Sequence, residues 1–224
     1  MNNHHTTIRV WDLPTRIFHW ALTFCVFGLL ITGFTGGDAM LWHYRFGYCV
    51  LTLLLFRMVW GIVGGKWSRF ASFIYTPSNT LRYLKGQGDP LHSVGHNPLG
   101  AFSVFAMLAL LLAQVSTGLI SDDEISAAGP LTKFVSNATV SLASGYHVAI
   151  GKIVVIFLIF THVMVIFFYL YKKRENLIKP MLHGDKLLPA STPTSIDTAT
   201  TRSLALAILL VCAAAVYWLV SLGG

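Results

Sequence analysis

Five long apolar segments, separated by polar stretches, dominate this chain of 224 residues. An α-helix rises about 1.5 Å per residue, so about 20 apolar residues cross a hydrocarbon core roughly 30 Å thick. The segments lack the strict alternation of barrel strands, and a backbone inside lipid must satisfy its own hydrogen bonds. We therefore predict an all-α integral membrane protein with transmembrane helices at about residues 15–34, 44–63, 98–120, 145–171 and 204–222.

The polar stretches predict how these helices are organised. Residues 1–186 carry the first four helices, which we expect to form one transmembrane bundle. Residues 187–203 are rich in Ser, Thr and Pro, and are predicted to be a linker to the fifth, C-terminal helix. Between the second and third helices, the amphipathic stretch 77–84 predicts a short interfacial helix, and Asn97 followed by Pro98 suits a helix start.

Positive charge predicts the orientation in the membrane. Four Lys and Arg residues lie between the second and third helices, and six lie from Lys172 to Arg202, whereas the loop between the third and fourth helices has only Lys133. Because Lys and Arg are enriched in cytoplasmic loops, we expect a cytoplasmic N-terminus and, after five spans, a periplasmic C-terminus. This placement also accounts for the net charge of +7, so we reject a nucleic-acid partner.

The composition also limits the kinds of metal, haem and transport site that the chain can contain. Cys25, Cys49 and Cys212 all lie in apolar segments and no C-x-x-C motif occurs, which excludes a thiol metal site and a covalently attached c-type haem. The five predicted helices contain no Asp or Glu. A proton-coupled transporter and a non-haem iron site are therefore disfavoured.

Four histidines lie within or at the ends of the predicted helices, where ionisable side chains are costly and mark function. His147 and His162 are 15 residues apart in the fourth helix, a rise of about 22 Å and an angular separation of about 60° in an ideal α-helix. The predicted topology puts His147 at the outer depth of His43, and His162 at the inner depth of His19. A single histidine at a helix end is more often interfacial, but two imidazoles at one depth can ligate a haem iron. The agreement in depth therefore predicts two stacked haem sites, His19/His162 and His43/His147.

Small residues and one arginine share faces with these histidines. Glycines are expected to leave room for a flat macrocycle or, alternatively, to mark close helix packing: Gly33, Gly47, Gly61 and Gly151. Arg57 lies about 40° from the face of His43, and a partner would offset its cost in lipid. We expect that partner to be a propionate of the inner haem; the alternative is that the side chain snorkels toward the cytoplasm.

Several motifs stand between residues 10 and 186: VWDLPTRIFHW, HYRFGYCVLTLLLFRMVWGIVG, GHNPLGA, YHVAIG with THV, and RENLIKPMLHG. Together they resemble the bacterial cytochrome b561 / nickel-hydrogenase b-type cytochrome family. The resemblance implies a four-helix core with two non-covalent haem b groups in the bacterial inner membrane, and electron exchange with the quinone pool. It also implies that His19, His43, His147 and His162 are the haem ligands.

We therefore expect a respiratory electron-transfer subunit without acid–base or nucleophilic catalysis of its own. Electrons would pass between quinone or quinol and a periplasmic redox partner, which is a hydrogenase, a dehydrogenase or a c-type cytochrome. His96 and Asn97 are the candidate quinone contacts. Two alternatives stay open, a self-sufficient quinone-linked haem oxidoreductase and a metal transporter with histidine ligands.

Overall fold

The computed structural model describes residues 5–123 and 128–223. Within these ranges, five helical segments are long and apolar enough to cross a membrane. They contain the helices α1 Leu13–Thr35, α2 Met40–Val63, α4 Pro98–Leu119, α6 Lys152–Tyr171 and α8 Ala199–Ser221. The predicted all-α integral membrane fold is confirmed, and the chain is a multi-pass membrane protein.

Two helices begin at least four residues earlier than the apolar pattern predicts. α2 begins at Met40 rather than 44, and α8 begins at Ala199 rather than 204. The length of an apolar segment follows the thickness of the hydrocarbon core, whereas a helix continues for as long as its backbone hydrogen bonds do. α8 therefore begins with a polar turn, Thr200 to Arg202, outside the apolar segment, whereas α2 begins with Met40, Leu41 and Trp42 before the predicted span.

The fourth span differs most from its prediction. It begins with α5, Asn137–Gly145, where the Ser136 hydroxyl accepts a hydrogen bond from the Thr139 N–H (3.2 Å). A π-helical turn, Tyr146–Gly151, then joins α5 to α6. A π-helix turns through fewer degrees per residue than an α-helix, so the 100° rule applied to His147 does not hold across this turn. π-Turns of this kind are frequent at functional sites.

Short elements complete the described chain. The short helix predicted at 77–84 is observed as α3, Pro77–Leu84, and a second short helix, α7, spans Ile178–His183. The strands β1, His5–Arg9, and β2, Asp185–Pro189, form an antiparallel ladder in which Ile8 pairs with Lys186. The predicted linker 187–203 is thus partly a strand. Residues 187–203 are polar, as in a linker, but residues 187–189 pair with the N-terminal strand β1 and so have a regular conformation.

Ion pairs hold the sheet to the start of α8. Arg9 contacts Asp185 (2.7 Å) and Asp197 (3.1 Å), and Asp197 also accepts from Arg202 Nε (2.8 Å). Burial alone raises the pKa of Asp197, but hydrogen bonds from Arg202 and the Leu13 backbone and the two arginine charges outweigh it. The pKa of Asp197 therefore lies below its ordinary value.

The chain divides into two compact units. The described parts of Met1–Phe18, Arg57–Ala106 and Thr161–Leu206 form the first unit, whose small core is Val10, Trp11, Trp67 and Val94. The described parts of His19–Phe56, Met107–Phe160 and Ala207–Gly224 form the second unit. Its core is built from the apolar faces of four membrane helices: Cys25, Val26, Val50, Leu51, Leu54, Val115, Leu119 and Val216.

A buried carboxylate organises the first unit. Asp12, only 1% exposed, accepts hydrogen bonds from the Thr15 N–H (2.8 Å) and Trp60 Nε1 (3.2 Å) through Oδ1. Its Oδ2 accepts from the Gly65 N–H (3.1 Å) and the Ser68 hydroxyl (2.7 Å). Asp12 therefore caps α1 and ties it to the chain that leaves α2.

Candidate functional site

A cavity of about 210 Å³ lies within the second unit. Residues of α1, α2, α4, the π-turn and the start of α6 line it, among them His43, His147, Gly47 and Lys152. Most of the lining is apolar, with a few convergent polar groups, as is usual for cofactor sites. The cavity therefore contains one of the two histidine pairs predicted from depth.

His43 and His147 face each other in this cavity. Their ring centres are 6.2 Å apart and their planes are inclined at 81°. A metal–imidazole bond is about 2 Å long and the ring centre lies about 1.2 Å beyond the nitrogen, so two imidazoles on one metal ion have centres about 6.4 Å apart. The spacing fits axial ligation of one iron by both histidines. Within the described residues, no three His, Cys, Asp or Glu side chains converge on a metal-sized site.

The His43 imidazole is anchored at one nitrogen. Its Nδ1 lies 3.1 Å from the Leu29 carbonyl oxygen and 3.2 Å from the Thr32 hydroxyl. A carbonyl only accepts, so neutral His43 carries its proton on Nδ1. The lone pair then lies on Nε2, and this nitrogen is therefore the one that can bind a metal.

The His147 imidazole is held in the same way. Its Nδ1 lies 2.8 Å from the Gln114 carbonyl oxygen and 3.4 Å from the Thr117 hydroxyl. The side-chain amide of Gln114 also donates to the His147 carbonyl (2.9 Å). Gln114 therefore fixes both the ring and the main chain of His147, within the π-turn.

Two glycines make room for these imidazoles. A Cβ on Gly33 would lie 3.1 Å from Cε1 of His43, and a Cβ on Gly118 would lie 2.9 Å from Cε1 of His147. A Cβ on Gly47 would meet no described atom within 4 Å, although Gly47 lines the cavity. Gly47 thus borders open space, whereas Gly33 and Gly118 border the histidine rings.

The other predicted glycines pack against side chains. Gly151 is buried, and a Cβ there would contact the Gln114 side chain. A Cβ on Gly61 would contact the ring of Phe70. These contacts correspond to the close-packing alternative for glycine on a helix face.

Arg57 lies in the first unit and is only 3% exposed. Its Nη2 donates to the Ser68 carbonyl (2.9 Å), and its guanidinium stacks on Phe70, 4.6 Å from the ring centre. Its Nη1 is buried without a hydrogen-bond partner among the described residues. This burial disfavours the snorkelling alternative and leaves one donor for an anionic group.

His19 and His162 belong to different units. His19 is half-buried in the second unit, with its ring 5.1 Å from that of Trp20, and His162 is half-buried in the first. Their pairing as ligands of one haem stays a prediction.

The candidate quinone contacts lie in the first unit. The His96 ring lies 4.7 Å from Trp11 and 4.6 Å from Phe73, centre to centre. Asn97 accepts from the Gly100 N–H (2.8 Å), which confirms it as the cap of α4, and donates to the Tyr169 hydroxyl (2.8 Å). Both the amide oxygen and the amide nitrogen of Asn97 thus already form hydrogen bonds within the protein.

Several residues around the two imidazoles were not singled out from the sequence. Thr32, Thr117, Gln114 and Gly118 anchor or accommodate the imidazoles, as described above. Lys152 places a cation at the cavity, with Nζ 5.4 Å from the ring centre of Phe34. A signal was available for three of them, because Thr-Gly occurs in both α1 and α4 at positions 32–33 and 117–118.

Comparisons with known proteins identify one family. The family model described as prokaryotic cytochrome b561 matches residues 10–184. The "probable Ni/Fe-hydrogenase B-type cytochrome subunit" of Rhizobium leguminosarum bv. viciae is 25% identical over 218 residues, covering 81% of this chain and 89% of that protein. The "probable Ni/Fe-hydrogenase 1 B-type cytochrome subunit" of Escherichia coli (strain K12) is 26% identical, covering 49% of this chain and 57% of that protein. The match to the family model extends over most of the chain, which therefore belongs to the prokaryotic cytochrome b561 family.

Proposed function

We propose that this protein is a di-haem b-type cytochrome that transfers electrons between the quinone pool and a periplasmic redox partner. The observation that carries the proposal is the facing pair of His43 and His147, each anchored through Nδ1 so that Nε2 is left for iron. The names of its relatives favour a hydrogenase as the partner, ahead of a dehydrogenase or a c-type cytochrome. The protein then works as an electron-transfer subunit rather than as an enzyme with its own substrate chemistry.

The second unit is proposed to hold the outer haem. When bound, the haem supplies one-electron chemistry at its iron, while the chain supplies its environment. His43 and His147 ligate, the carbonyls of Leu29 and Gln114 set the tautomers, and the apolar lining excludes water. Lys152 provides a cation that suits a haem propionate.

The inner haem is proposed to be ligated by His19 and His162. The support is the agreement in depth of the two histidines in the sequence. The buried Nη1 of Arg57, which has no partner among the described residues, adds a donor suited to a propionate. An unpaired guanidinium donor is costly at such a site, so an anionic group there offsets that cost.

The orientation and the quinone site complete the proposal. The distribution of Lys and Arg supports a bacterial inner-membrane protein with a cytoplasmic N-terminus and a periplasmic C-terminus. His96 and Asn97 stay the candidate quinone contacts. The Asn97 side chain already forms two hydrogen bonds within the protein.

A redox titration of the purified protein, followed by absorbance, tests the proposal. The wild type should show two b-type centres. His43→Ala and His147→Ala should each remove the same centre, and His19→Ala and His162→Ala should both remove the other. His183→Ala, in the short helix α7, is the control and should keep both centres.

The other outcomes distinguish the alternatives. Protein purified without haem refutes the proposal and favours the metal transporter. If His43→Ala and His147→Ala remove different centres, the ligand pairing is wrong. If the protein alone oxidises quinol with a small soluble oxidant, it is a self-sufficient oxidoreductase rather than a subunit.

A further inference from the structure

Two helices of the second unit contain the same local arrangement, which we call a Thr–Gly seat. In α1 the seat consists of the Leu29 carbonyl, Thr32 and Gly33, and it receives His43. In α4 it consists of the Gln114 carbonyl, Thr117 and Gly118, and it receives His147. In both seats threonine follows the carbonyl residue by three positions and glycine follows by four. The two seats therefore present the same groups to two histidines that come from different parts of the chain.

The threonine hydroxyls are oriented by their own helices. The Thr32 hydroxyl donates to the Gly28 carbonyl (2.7 Å), and the Thr117 hydroxyl lies 2.9 Å from both the Ala113 and the Gln114 carbonyls. A serine or threonine in a helix commonly bonds back to the carbonyl four residues earlier. A hydroxyl whose hydrogen is committed in this way has only lone pairs left to offer. Each imidazole Nδ1–H thus meets two acceptors, a carbonyl and a hydroxyl oxygen.

The glycine of each seat sets the distance of approach. With a Cβ at position 33 or 118, the closest imidazole carbon would be 3.1 or 2.9 Å away, which is shorter than ordinary van der Waals contact. The ring edge that carries Nδ1 and Cε1 can therefore approach the helix this closely only where the side chain is absent. The threonine then determines which edge of the ring faces the helix.

We propose that Thr32 and Thr117 are positioning residues that fix the tautomer and the ring plane of His43 and His147, and thereby set the reduction potential of the haem these histidines hold. The inference rests on the proposed function, since it concerns the same haem site. It assigns a role to two hydroxyls that touch neither iron nor substrate.

The direction of the effect follows from hydrogen bonding. An imidazole that donates from Nδ1 to more acceptors is a stronger electron donor at Nε2, which favours ferric over ferrous iron. Removing one acceptor should therefore raise the reduction potential. Thr32 should matter more than Thr117, because its oxygen is nearer to the imidazole nitrogen (3.2 Å against 3.4 Å) and the competing carbonyl bond is longer (3.1 Å against 2.8 Å).

The test compares Thr32→Val with Thr32→Ser, because valine keeps the shape without the hydroxyl and serine keeps the hydroxyl. Thr32→Val should shift the ferrous-to-ferric ratio of one haem about fivefold toward ferrous at a fixed ambient potential, the equivalent of one neutral hydrogen bond. Thr32→Ser should behave as wild type, and Thr117→Val should give a smaller shift of the same haem. Thr52→Val is the matched control, because Thr52 makes the same bond back to the Tyr48 carbonyl (2.9 Å).

Electron paramagnetic resonance of the ferric protein gives a second readout. Imidazole planes inclined at 81° should give a strongly anisotropic low-spin signal in the wild type. Thr32→Val should broaden or shift that signal, whereas Thr32→Ser and Thr52→Val should not.

The outcomes separate the inference from the proposed function. If the wild type contains no haem, the proposed function fails. If it contains haem and Thr32→Val keeps both the wild-type potential and the wild-type signal, only the Thr–Gly inference is overturned. If Thr32→Val and Thr52→Val shift the potential equally, the effect comes from the helix rather than from the seat, and the inference is also overturned.

Discussion

Gly47 offers a test of where the haem lies, because its substitution should act only on the loaded protein. Gly47 lies within α2 and lines the cavity, and a Cβ there would meet no described atom within 4 Å. Alanine in a helix interior is about 1 kcal/mol more favourable than glycine. Without haem, Gly47→Ala should therefore leave the free energy of unfolding unchanged or increase it by up to about 1 kcal/mol.

With haem, the same methyl group competes for space with the cofactor. Forcing one extra methyl group into a filled site typically costs about 1–3 kcal/mol. At about 1.4 kcal/mol per tenfold change in a binding constant, haem affinity should fall roughly 5- to 150-fold. The other haem should be retained, so the protein should keep about one centre instead of two when haem is limiting.

The assay combines haem titration of the haem-free protein with thermal unfolding in the same detergent. Gly61→Ala is the matched control, since a Cβ there would contact the Phe70 ring whether or not haem is present. It should lower stability by about 1–3 kcal/mol in both forms, as overpacking does. Wild-type haem affinity in Gly47→Ala would refute the placement of a haem in this cavity.

Three further predictions concern stability, pH and the second seat. Asp12→Ala removes the acceptor of four buried hydrogen bonds and should lower the free energy of unfolding by about 3 kcal/mol or more, measured by chemical denaturation, with Asp12→Asn milder. Because the folded pKa of Asp197 is lowered, its stabilising effect is present above the ordinary Asp pKa of about 4 and is lost as the pH falls further. Melting temperatures between pH 6 and 3 should therefore fall more steeply for wild type than for Asp197→Asn, and parallel curves would contradict this. Gly118→Ala should reduce haem content more than Gly33→Ala, because its methyl group would be closer to the imidazole (2.9 Å against 3.1 Å), and equal haem content would argue against that ranking.

The sequence alone was sufficient for the membrane helices and for the proximity of His43 and His147. In lipid a backbone must form its hydrogen bonds within the segment, so an apolar stretch of sufficient length has few alternatives to a helix. Depth then follows from counting residues, because the rise per residue is constant. Two histidines at one depth in one bundle can then lie near each other, provided that their helices turn those faces toward each other.

The details of the site required the tertiary structure. Rotation of each helix about its axis decides which groups face a histidine, and the contacts of other helices set that rotation. The π-turn around His147 changes the angle per residue in a way that no apolar pattern reports. The Thr–Gly seats also join residues far apart in the chain, such as Gln114 and His147.

The same distinction explains the polar ends of the chain. Residues 187–203 have the composition of a linker, and composition reports only that they cannot form a core of their own. The partner strand His5–Arg9 lies nearly 180 residues away in the chain, and pairing with it orders Asp185–Pro189. Hydrophobicity and helix geometry act locally, so the sequence determined the spans and predicted which histidines pair. Side-chain anchors, glycine gaps and strand pairing act between distant segments, so only the tertiary structure decided how the imidazoles are held.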